Sequence, residues 1–312
     1  MTTTTPPTLA LTGRVSAAAD DAHDKLSSPW ASLTAVVIAV LWTVPTLGLF
    51  ISSFRPEDDV KGSGWWTFFS NPAVTLDNYE SVLTGSDTDL ATFFLNSIVI
   101  TIPSVLIPIT LASMAAYAFA WMKFPGRNVL FVAVFAMQIV PIQVTMIPLL
   151  SIYVSPPFGL PSLAGSEAPG GGFYTIWLSH TIFALPLAIY LLHNFMREIP
   201  GELVESARVD GAGHVQIFVR IMLPLMTPAI AAFGIFQFLW VWNDLLVALV
   251  FGGGNLDVSP LTVRLAELSG TRGADWHLLS AGAFVSLVVP LVVFLSLQRF
   301  FLRGLLAGSV KG

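Results

Sequence analysis

Long apolar stretches alternate with shorter polar segments over most of the 312-residue chain. A helix needs about 20 predominantly apolar residues to cross the hydrocarbon core of a bilayer, and each stretch is long enough. The pattern therefore predicts an all-α integral membrane protein with six transmembrane helices. The predicted spans are 30–54, 93–122, 129–154, 173–196, 221–251 and 278–301. Pro141 and Pro148 lie within the third span, and proline bends a membrane helix because it removes a backbone hydrogen bond.

The two ends of the chain differ from this membrane domain, which we place at residues 29–303. Residues 1–28 are rich in Thr, Ala and Pro and lack the pattern of a packed core. This composition predicts a disordered tail. Residues 304–312 are predicted to form a second, short tail. The first apolar stretch begins too late and runs too long for a cleaved signal peptide, so we expect it to be a permanent span.

Positive residues are distributed unequally between the two sides of the predicted membrane domain. If the N-terminus is cytoplasmic, the outer segments contain four of the 14 Lys and Arg residues and the inner segments contain the other ten. The four outer residues are Arg55, Lys61, Arg264 and Arg272. Because Lys and Arg in short loops stay on the cytoplasmic side, both termini are predicted to be cytoplasmic. The polar segment at residues 200–213 is then cytoplasmic as well.

This polar segment carries the signals of a short helix at the membrane surface. Pro200 suits a first helical turn, and Gly211 and Gly213 can end the helix. The helical period predicts an apolar face of Leu203, Val204 and Ala207 and a wet face of Glu202, Glu205, Arg208 and Asp210. Ser206 and Ala207 are small, which would allow a partner surface to approach closely.

The same segment contains a motif that resembles a known family. Glu205-Ser206-Ala207 precedes Gly211, and Ile221-Met222-Leu223-Pro224 follows after nine further residues. The motif resembles the EAA signature of permease subunits of ATP-binding-cassette (ABC) importers, with Ser206 where the family usually has Ala. The resemblance implies a type I importer permease fold with a cytoplasmic coupling helix, at about residues 200–213, that sits in a cleft of the ATPase subunit. The implied coupling residues are Glu205, Ser206, Ala207, Arg208, Asp210, Gly211, Ile221, Leu223 and Pro224.

The C-terminus carries a second resemblance. Gly304, Gly308, Val310, Lys311 and Gly312 fit the G-x-x-x-G-x-V-K-G ending that is common in the second permease subunit of maltose- and α-glucoside-type carbohydrate importers. In that family this tail, with Gly304, Gly308 and Lys311, reaches the ATPase dimer. The resemblance implies a bacterial inner-membrane complex with a second permease subunit, two ATPase subunits and an extracytoplasmic sugar-binding protein. The chain would form half of the pathway and couple ATPase closure to alternating access for an α-glucoside di- or oligosaccharide.

Polar residues at membrane depth are costly, so those present usually face a helix bundle or a wet cavity. The candidates for a substrate pathway are Gln138, Gln143, Gln237, Trp240, Trp242, Asn243 and Asp244. Aromatic rings beside amides and a carboxylate suit a sugar, whose C–H faces pack on rings while its hydroxyls form hydrogen bonds. The alternatives are an aromatic belt at the membrane interface and polar contacts between helices. His180 and His193 are interpreted as helix-packing residues.

A glycine-rich loop follows the fifth predicted span. Gly252, Gly253, Gly254 and Asn255 form a stretch that we interpret as a flexible finger on the outer side. By its position, the family resemblance implies a loop that enters the binding protein. A simple linker is the alternative.

Several classes of function have no support in the sequence. The chain has no cysteine, so it has no disulfide and no thiolate metal site. No lysine follows a glycine and no histidine precedes a glutamate, which excludes a P-loop and an H-E-x-x-H zinc site. No basic cluster suits nucleic acid. We therefore expect no cofactor or metal on this chain, with ATP and Mg²⁺ used by the ATPase subunits. The alternative to a permease function is a membrane scaffold or, less favoured, an intramembrane enzyme.

Overall fold

The computed structural model describes residues 29–85, 90–165, 167–270 and 272–309, and its description of side chains ends at residue 298. Within these residues the chain is helical and has no strand. It divides into two compact units, Met1–Thr75 and Leu76–Gly312. The predicted N-terminal tail at residues 1–28 and Lys311 of the C-terminal tail lie outside the described residues.

The first unit consists of a long apolar helix and the segment that follows it. Helix α1 (Pro29–Ser53) precedes α2 (Glu57–Gly62) and a short 3₁₀ helix (Trp65–Phe69). The buried Arg55 guanidinium donates to the Asp59 carbonyl at 3.0 Å and to the Ser63 hydroxyl at 2.7 Å, which holds the turn after α1. The indole of Trp65 lies 2.7 Å from the position that a Cβ of Gly48 would occupy. Glycine at position 48 therefore makes room for this ring.

The second unit contains the other helices. They are α3 (Asp77–Thr84), α4 (Leu90–Trp121), α5 (Arg127–Ala136), α6 (Ile142–Val154), α7 (Phe173–Arg197), α8 (Gly201–Val209), α9 (His214–Ile217), α10 (Leu223–Trp242), α11 (Leu246–Phe251), α12 (Leu261–Ser269) and α13 (Trp276–Ser309). A π-helical segment, Phe218–Met222, joins α9 to α10. The described residues provide five helices that are long and apolar enough to span a membrane, or six if α5 and α6 form one bent span. Helix α13 continues through Gly304 and Gly308 of the predicted tail.

The centre of the second unit is the pair α4 and α7, with α10 packed against both of them and against α13. Small residues lie where the central helices meet: Ala112 and Ala116 of α4 and Ala184 and Ala188 of α7 are all buried. In a membrane there is little hydrophobic drive between helices, so small residues favour association by allowing close backbone packing. This packing explains why α4 and α7 form the scaffold on which the other helices rest.

The third predicted span is not one straight helix. Helices α5 and α6 meet at an angle of 105°, with a 3₁₀ turn at Met137–Ile139 and a break at Val140 and Pro141. Val140 has the extended backbone (φ −73°, ψ 121°) that a residue before proline prefers. The third span at 129–154 is therefore bent, as its prolines predict, and the bend lies at Pro141.

The fifth predicted span ends earlier than expected. Helix α10 stops at Trp242, and the separate short helix α11 carries the chain on to Phe251. The Asp244 carboxylate accepts from the backbone N–H groups of Val247 at 3.3 Å and Ala248 at 3.0 Å, so it caps the start of α11. The predicted end at residue 251 is wrong because apolarity continues through the break, whereas the hydrogen bonds do not.

Candidate functional site

The polar helix predicted between the fourth and fifth spans is present as α8. Its end is a Schellman motif, in which the Ala212 N–H donates to the Ala207 carbonyl at 2.9 Å and the Gly211 N–H donates to the Arg208 carbonyl at 3.0 Å. Gly211 has a φ of +82°, which glycine adopts without steric cost. Two details differ from the prediction. Pro200 is the N-cap residue rather than part of the first turn, and Gly213 caps α9 rather than ending α8.

The orientation of α8 separates an anchored face from an open face. Val204 is 2% exposed and Ala207 is 9% exposed, and both belong to the apolar core that includes Met196, Ile217 and Met222. Leu203 was predicted to share their face, but it is 43% exposed. The open face carries the exposed residues Glu202, Glu205, Ser206, Arg208, Val209 and Asp210. Helix α8 is thus fixed to its own chain on one side and available to a partner on the other.

Further contacts tie the end of α4 to the segment after α8. The Tyr117 hydroxyl lies 2.9 Å from His214 Nδ1, and the Tyr117 ring packs on Phe218 at 5.3 Å between centroids. The Arg208 guanidinium reaches the Trp121 carbonyl at 3.5 Å. The sequence did not predict the Tyr117–His214 contact, because the two residues are 97 positions apart and neither lies in a recognisable motif.

The π-helical segment lies directly before the Leu223-Pro224 pair of the motif. Proline has no N–H to donate, and in a regular α-helix its ring would crowd the carbonyl four residues earlier, that of Arg220. A wider turn at Phe218–Met222 avoids this conflict. Ile221, Leu223 and Pro224 therefore mark the point where the chain passes from the surface segment into α10.

Three of the predicted pathway residues meet in one cavity. Gln138, Gln237 and Trp240 line a cavity of about 200 Å³ between the bend of the third span, α7 and α10. The cavity is otherwise apolar and is completed by Ile142, Phe183, Ala184, Leu187, Phe233 and Phe236. Gln237 Nε2 donates to the Ser104 carbonyl at 3.2 Å, and its Oε1 has no hydrogen-bond partner among the described residues. Gln143 lines a neighbouring groove of about 670 Å³, which also includes Gln138 and Phe183.

Trp242, Asn243 and Asp244 of the predicted pathway make contacts within the helix framework. Trp242 is buried, its indole N–H donates to the Ser286 carbonyl at 3.1 Å, and its ring stacks on Phe238. The Asn243 amide donates to the Leu239 carbonyl at 2.7 Å at the end of α10. Asp244 caps α11, as described above, and its Oδ2 lies 3.7 Å from Nε2 of the buried His180. Their part in a substrate pathway stays a prediction.

The glycine-rich loop forms a hydrogen-bonded turn. Gly253 and Gly254 have φ angles of +64° and +73°, and the Asn255 side chain accepts from the Asp257 N–H at 3.0 Å. The segment just after it is held by Asn96 of α4, whose amide donates to the Asp257 carbonyl at 2.9 Å. The turn projects its two exposed glycines while its base is fixed to the scaffold.

Residues 108–306 match the family described as "Binding-protein-dependent transport system inner membrane component". The match covers more than half of the chain, so the chain belongs to this family. It includes α8, the π-helical segment and every cavity-lining residue. The chain is accordingly a non-enzymatic permease subunit of an ABC importer, a class that works in the membrane with a binding protein and with ATPase subunits.

The particular relatives are permeases as well. The osmoprotective compounds uptake permease protein GgtD of Synechocystis sp. is 53% identical over 280 residues, which cover 88% of this chain and 90% of the relative. The alpha-glucoside transport system permease protein AglG of Rhizobium meliloti is 40% identical, with 91% of this chain and 97% of the relative covered. A chain in the crystal structure of a bacterial alginate ABC transporter has the same fold, with a TM-score of 0.66 at 17% identity over 90% of this chain and 96% of that chain.

These comparisons confirm the predicted family and the type I importer permease fold. They also decide between the alternatives that the sequence left open, because a permease is neither a membrane scaffold nor an intramembrane enzyme. Location in the inner membrane follows from the family.

Proposed function

We propose that this chain forms one half of the translocation pathway of an ATP-driven sugar importer, and that α8 is its coupling helix. The observation that carries the proposal is the two-sided construction of α8. Buried Val204 and Ala207 fix the helix to the core of the second unit, while Glu205, Ser206 and Arg208 are exposed. A helix attached in this way moves together with its own bundle when a partner pushes on the open face.

Movement of α8 has a continuous route to the cavity. The Schellman motif joins α8 to α9, and α9 continues through the π-helical segment into α10. Gln237 and Trp240 lie on α10 at the cavity, about 20 to 25 Å along the helix from Leu223 at 1.5 Å per residue. Closure of the ATPase subunits would therefore change the shape of the cavity wall, which is the requirement for alternating access.

The subunit composition that we propose is a second permease subunit, two ATPase subunits and an extracytoplasmic binding protein. One chain supplies the helices of only one side of a pathway, so a second permease must provide the other. Both termini would be cytoplasmic, as the distribution of Lys and Arg favours. ATP and Mg²⁺ would then bind to the ATPase subunits, and this chain would bind no cofactor.

Two further contacts complete the proposed assembly. The exposed glycines Gly253 and Gly254 would meet the binding protein on the outer side, and Asn255 and Gly252 would hold the base of that turn. The C-terminal segment with Gly304, Gly308 and Lys311 would reach the ATPase dimer, as its sequence pattern suggests.

We propose an α-glucoside di- or oligosaccharide as the substrate. The relative AglG is named for α-glucoside transport, and the cavity offers an aromatic ring, Trp240, beside the amides of Gln138 and Gln237. Uptake of a labelled α-glucoside disaccharide by cells that express the complete importer tests this. The name of the relative GgtD supplies the competing outcome: uptake of a non-glycosidic osmoprotectant, with no uptake of the disaccharide, would contradict the proposal.

The coupling role is tested by Gly211→Val in the reconstituted importer. Valine at a φ of +82° is strained, and no heavy atom lies within 4 Å of the added Cβ, so the change distorts the backbone at the end of α8 without a clash. We expect normal membrane insertion and at least about a tenfold loss of ATP hydrolysis stimulated by the loaded binding protein. Gly213→Ala is the matched control, because Gly213 has a φ of −77° and equally open surroundings. Full stimulation in Gly211→Val would count against the coupling role.

A further inference from the structure

The turn between α4 and α5 forms a cationic pocket that the transport mechanism does not use. Its volume is about 540 Å³, and it is lined by Lys123, Phe124, Gly126, Arg127, Asn128 and Val129. Two of these side chains are cationic and none is acidic. Lys123 makes no hydrogen bond or ion pair with a described residue. Among the described residues Arg127 donates to uncharged oxygens only, those of Met122 at 3.2 Å and Asn128 at 3.4 Å.

A third cation lies near the same turn. Arg197 lies one helical turn after His193 on α7, and the His193 ring packs on Phe131 of α5 at 4.2 Å between centroids. Arg197 also forms no ion pair with an acidic residue in the part of the chain that the structure describes. Two positive charges without acidic partners therefore lie at the start of α5, and a third, Arg197, ends the helix that packs against α5. Such a group attracts an anion, and phosphate in particular suits the planar donor set of arginine.

The helix that begins at this pocket, α5, has an exposed apolar face. Helix α5 has no buried residue, and Val129 is 75% exposed, Leu130 50% and Val132 63%. Its ten residues extend over about 15 Å, which is about half of the roughly 30 Å hydrocarbon core of a bilayer. The helix then ends before the bend at Pro141. Its length and surface therefore match the acyl region of one membrane leaflet.

We propose that the α4–α5 turn is a binding site for an anionic phospholipid. The phosphate would contact Lys123 and Arg127, and the acyl chains would lie along Val129 and Val132 of α5. A phospholipid joins one negative charge directly to hydrocarbon, which is the combination that this pocket and helix present. The proposal rests on the orientation proposed above, because anionic lipid attracts basic residues at the cytoplasmic surface of a membrane.

The test is native mass spectrometry of the complete importer, released from nanodiscs that contain equal amounts of phosphatidylglycerol and phosphatidylcholine. The importer with the unaltered chain should retain phosphatidylglycerol selectively. Lys123→Gln combined with Arg127→Gln should lose one retained phosphatidylglycerol and bind that lipid at least about tenfold more weakly, since each basic residue near an anionic surface contributes to the attraction. Lys123→Arg keeps the positive charge, so it should retain most of the affinity that Lys123→Gln loses.

Lys61→Gln is the control for the single variant Lys123→Gln, because it also removes one exposed lysine charge but lies in the first unit, where Lys61 pairs with Glu57. Unchanged retention of phosphatidylglycerol in the double variant, or an equal loss in the control, would overturn the proposal. Weaker association of the second permease at constant lipid retention would also overturn it, because this surface would then be a protein interface. Failure of the coupling role would appear separately, as full ATPase stimulation in Gly211→Val.

Discussion

Helix α8 and the segment from Gln237 to Asp244 are both polar interruptions in apolar sequence, but the sequence determines them to different degrees. For α8 the predicted helix and its glycine end are present. For the second segment, Trp240 faces the cavity whereas Trp242 points into the packed bundle. The two predictions differ in how much of the structure is determined by residues close together in the sequence. The ends of a helix depend on residues next to each other, whereas the facing of a side chain depends on neighbours that are distant in sequence.

A helix turns by about 100° per residue, so a run of consecutive polar and aromatic residues covers all faces of the helix. Trp240 and Trp242 are two positions apart and must therefore point to opposite sides. Gln237 and Trp240 are three apart and share a face, which agrees with their common cavity. Composition marks the polar region, and the helical period separates the residues within it that share a face.

The largest effect that tests this comparison is expected for Val204→Asp. The Val204 side chain is 2% exposed in the core, so an aspartate there would bury a charge without a partner, at a cost of about 3 kcal/mol or more. Leu203→Asp is the matched control, since Leu203 is the preceding residue and is 43% exposed. We expect thermal unfolding of the purified chain in detergent to shift strongly downward for Val204→Asp and by little for Leu203→Asp. Equal shifts would show that α8 is not anchored by this face.

Much of the fold was predictable because the membrane imposes a length and an apolar composition on each span. The observed helices α1, α4 and α7 begin and end within a few residues of the predicted spans. The errors occur where backbone chemistry, and not apolarity, ends a helix. Asp244 caps a new helix inside the predicted fifth span. The bend of the third span at Pro141 was predicted, and only its angle of 105° was not.

The candidate site was predictable only as far as its motifs reach. Gly211, Leu223 and Pro224 stand at the helix end and helix start that their chemistry requires. The Tyr117–His214 contact had no signal in the sequence, because it depends on how α4 and α9 meet. The cavity contributions of Phe183 and Phe233 were missed for the same reason.

Smaller effects are expected for Trp240→Phe and Trp242→Phe, the first on the KM for sugar uptake and the second on stability. The Trp242 indole donates to the Ser286 carbonyl, so its loss should cost about 1 kcal/mol of stability and leave the KM for uptake unchanged. Trp240 lines the cavity, so Trp240→Phe should raise the KM for sugar uptake a few fold with little change in thermal unfolding. Uptake kinetics and unfolding curves for both variants check this. A raised KM in Trp242→Phe alone would reverse the assignment of the two rings.

The smallest effect is expected for Tyr117→Phe, which removes a hydroxyl but keeps the ring that packs on Phe218. Loss of the 2.9 Å hydrogen bond to His214 should cost about 1 kcal/mol, felt locally as faster amide hydrogen exchange in the segment from α9 to the π helix. Tyr190→Phe is the matched control, because the Tyr190 ring also stacks, on Phe135, and its hydroxyl has no partner among the described residues.

A double-mutant cycle with His214→Ala separates this contact from general loosening of the bundle. If the hydroxyl acts through His214, Tyr117→Phe should add little to hydrogen exchange or to ATPase stimulation once His214 is replaced. Additive effects would mean that the two side chains contribute independently. In that case the Tyr117–His214 contact would not carry movement between α4 and α9.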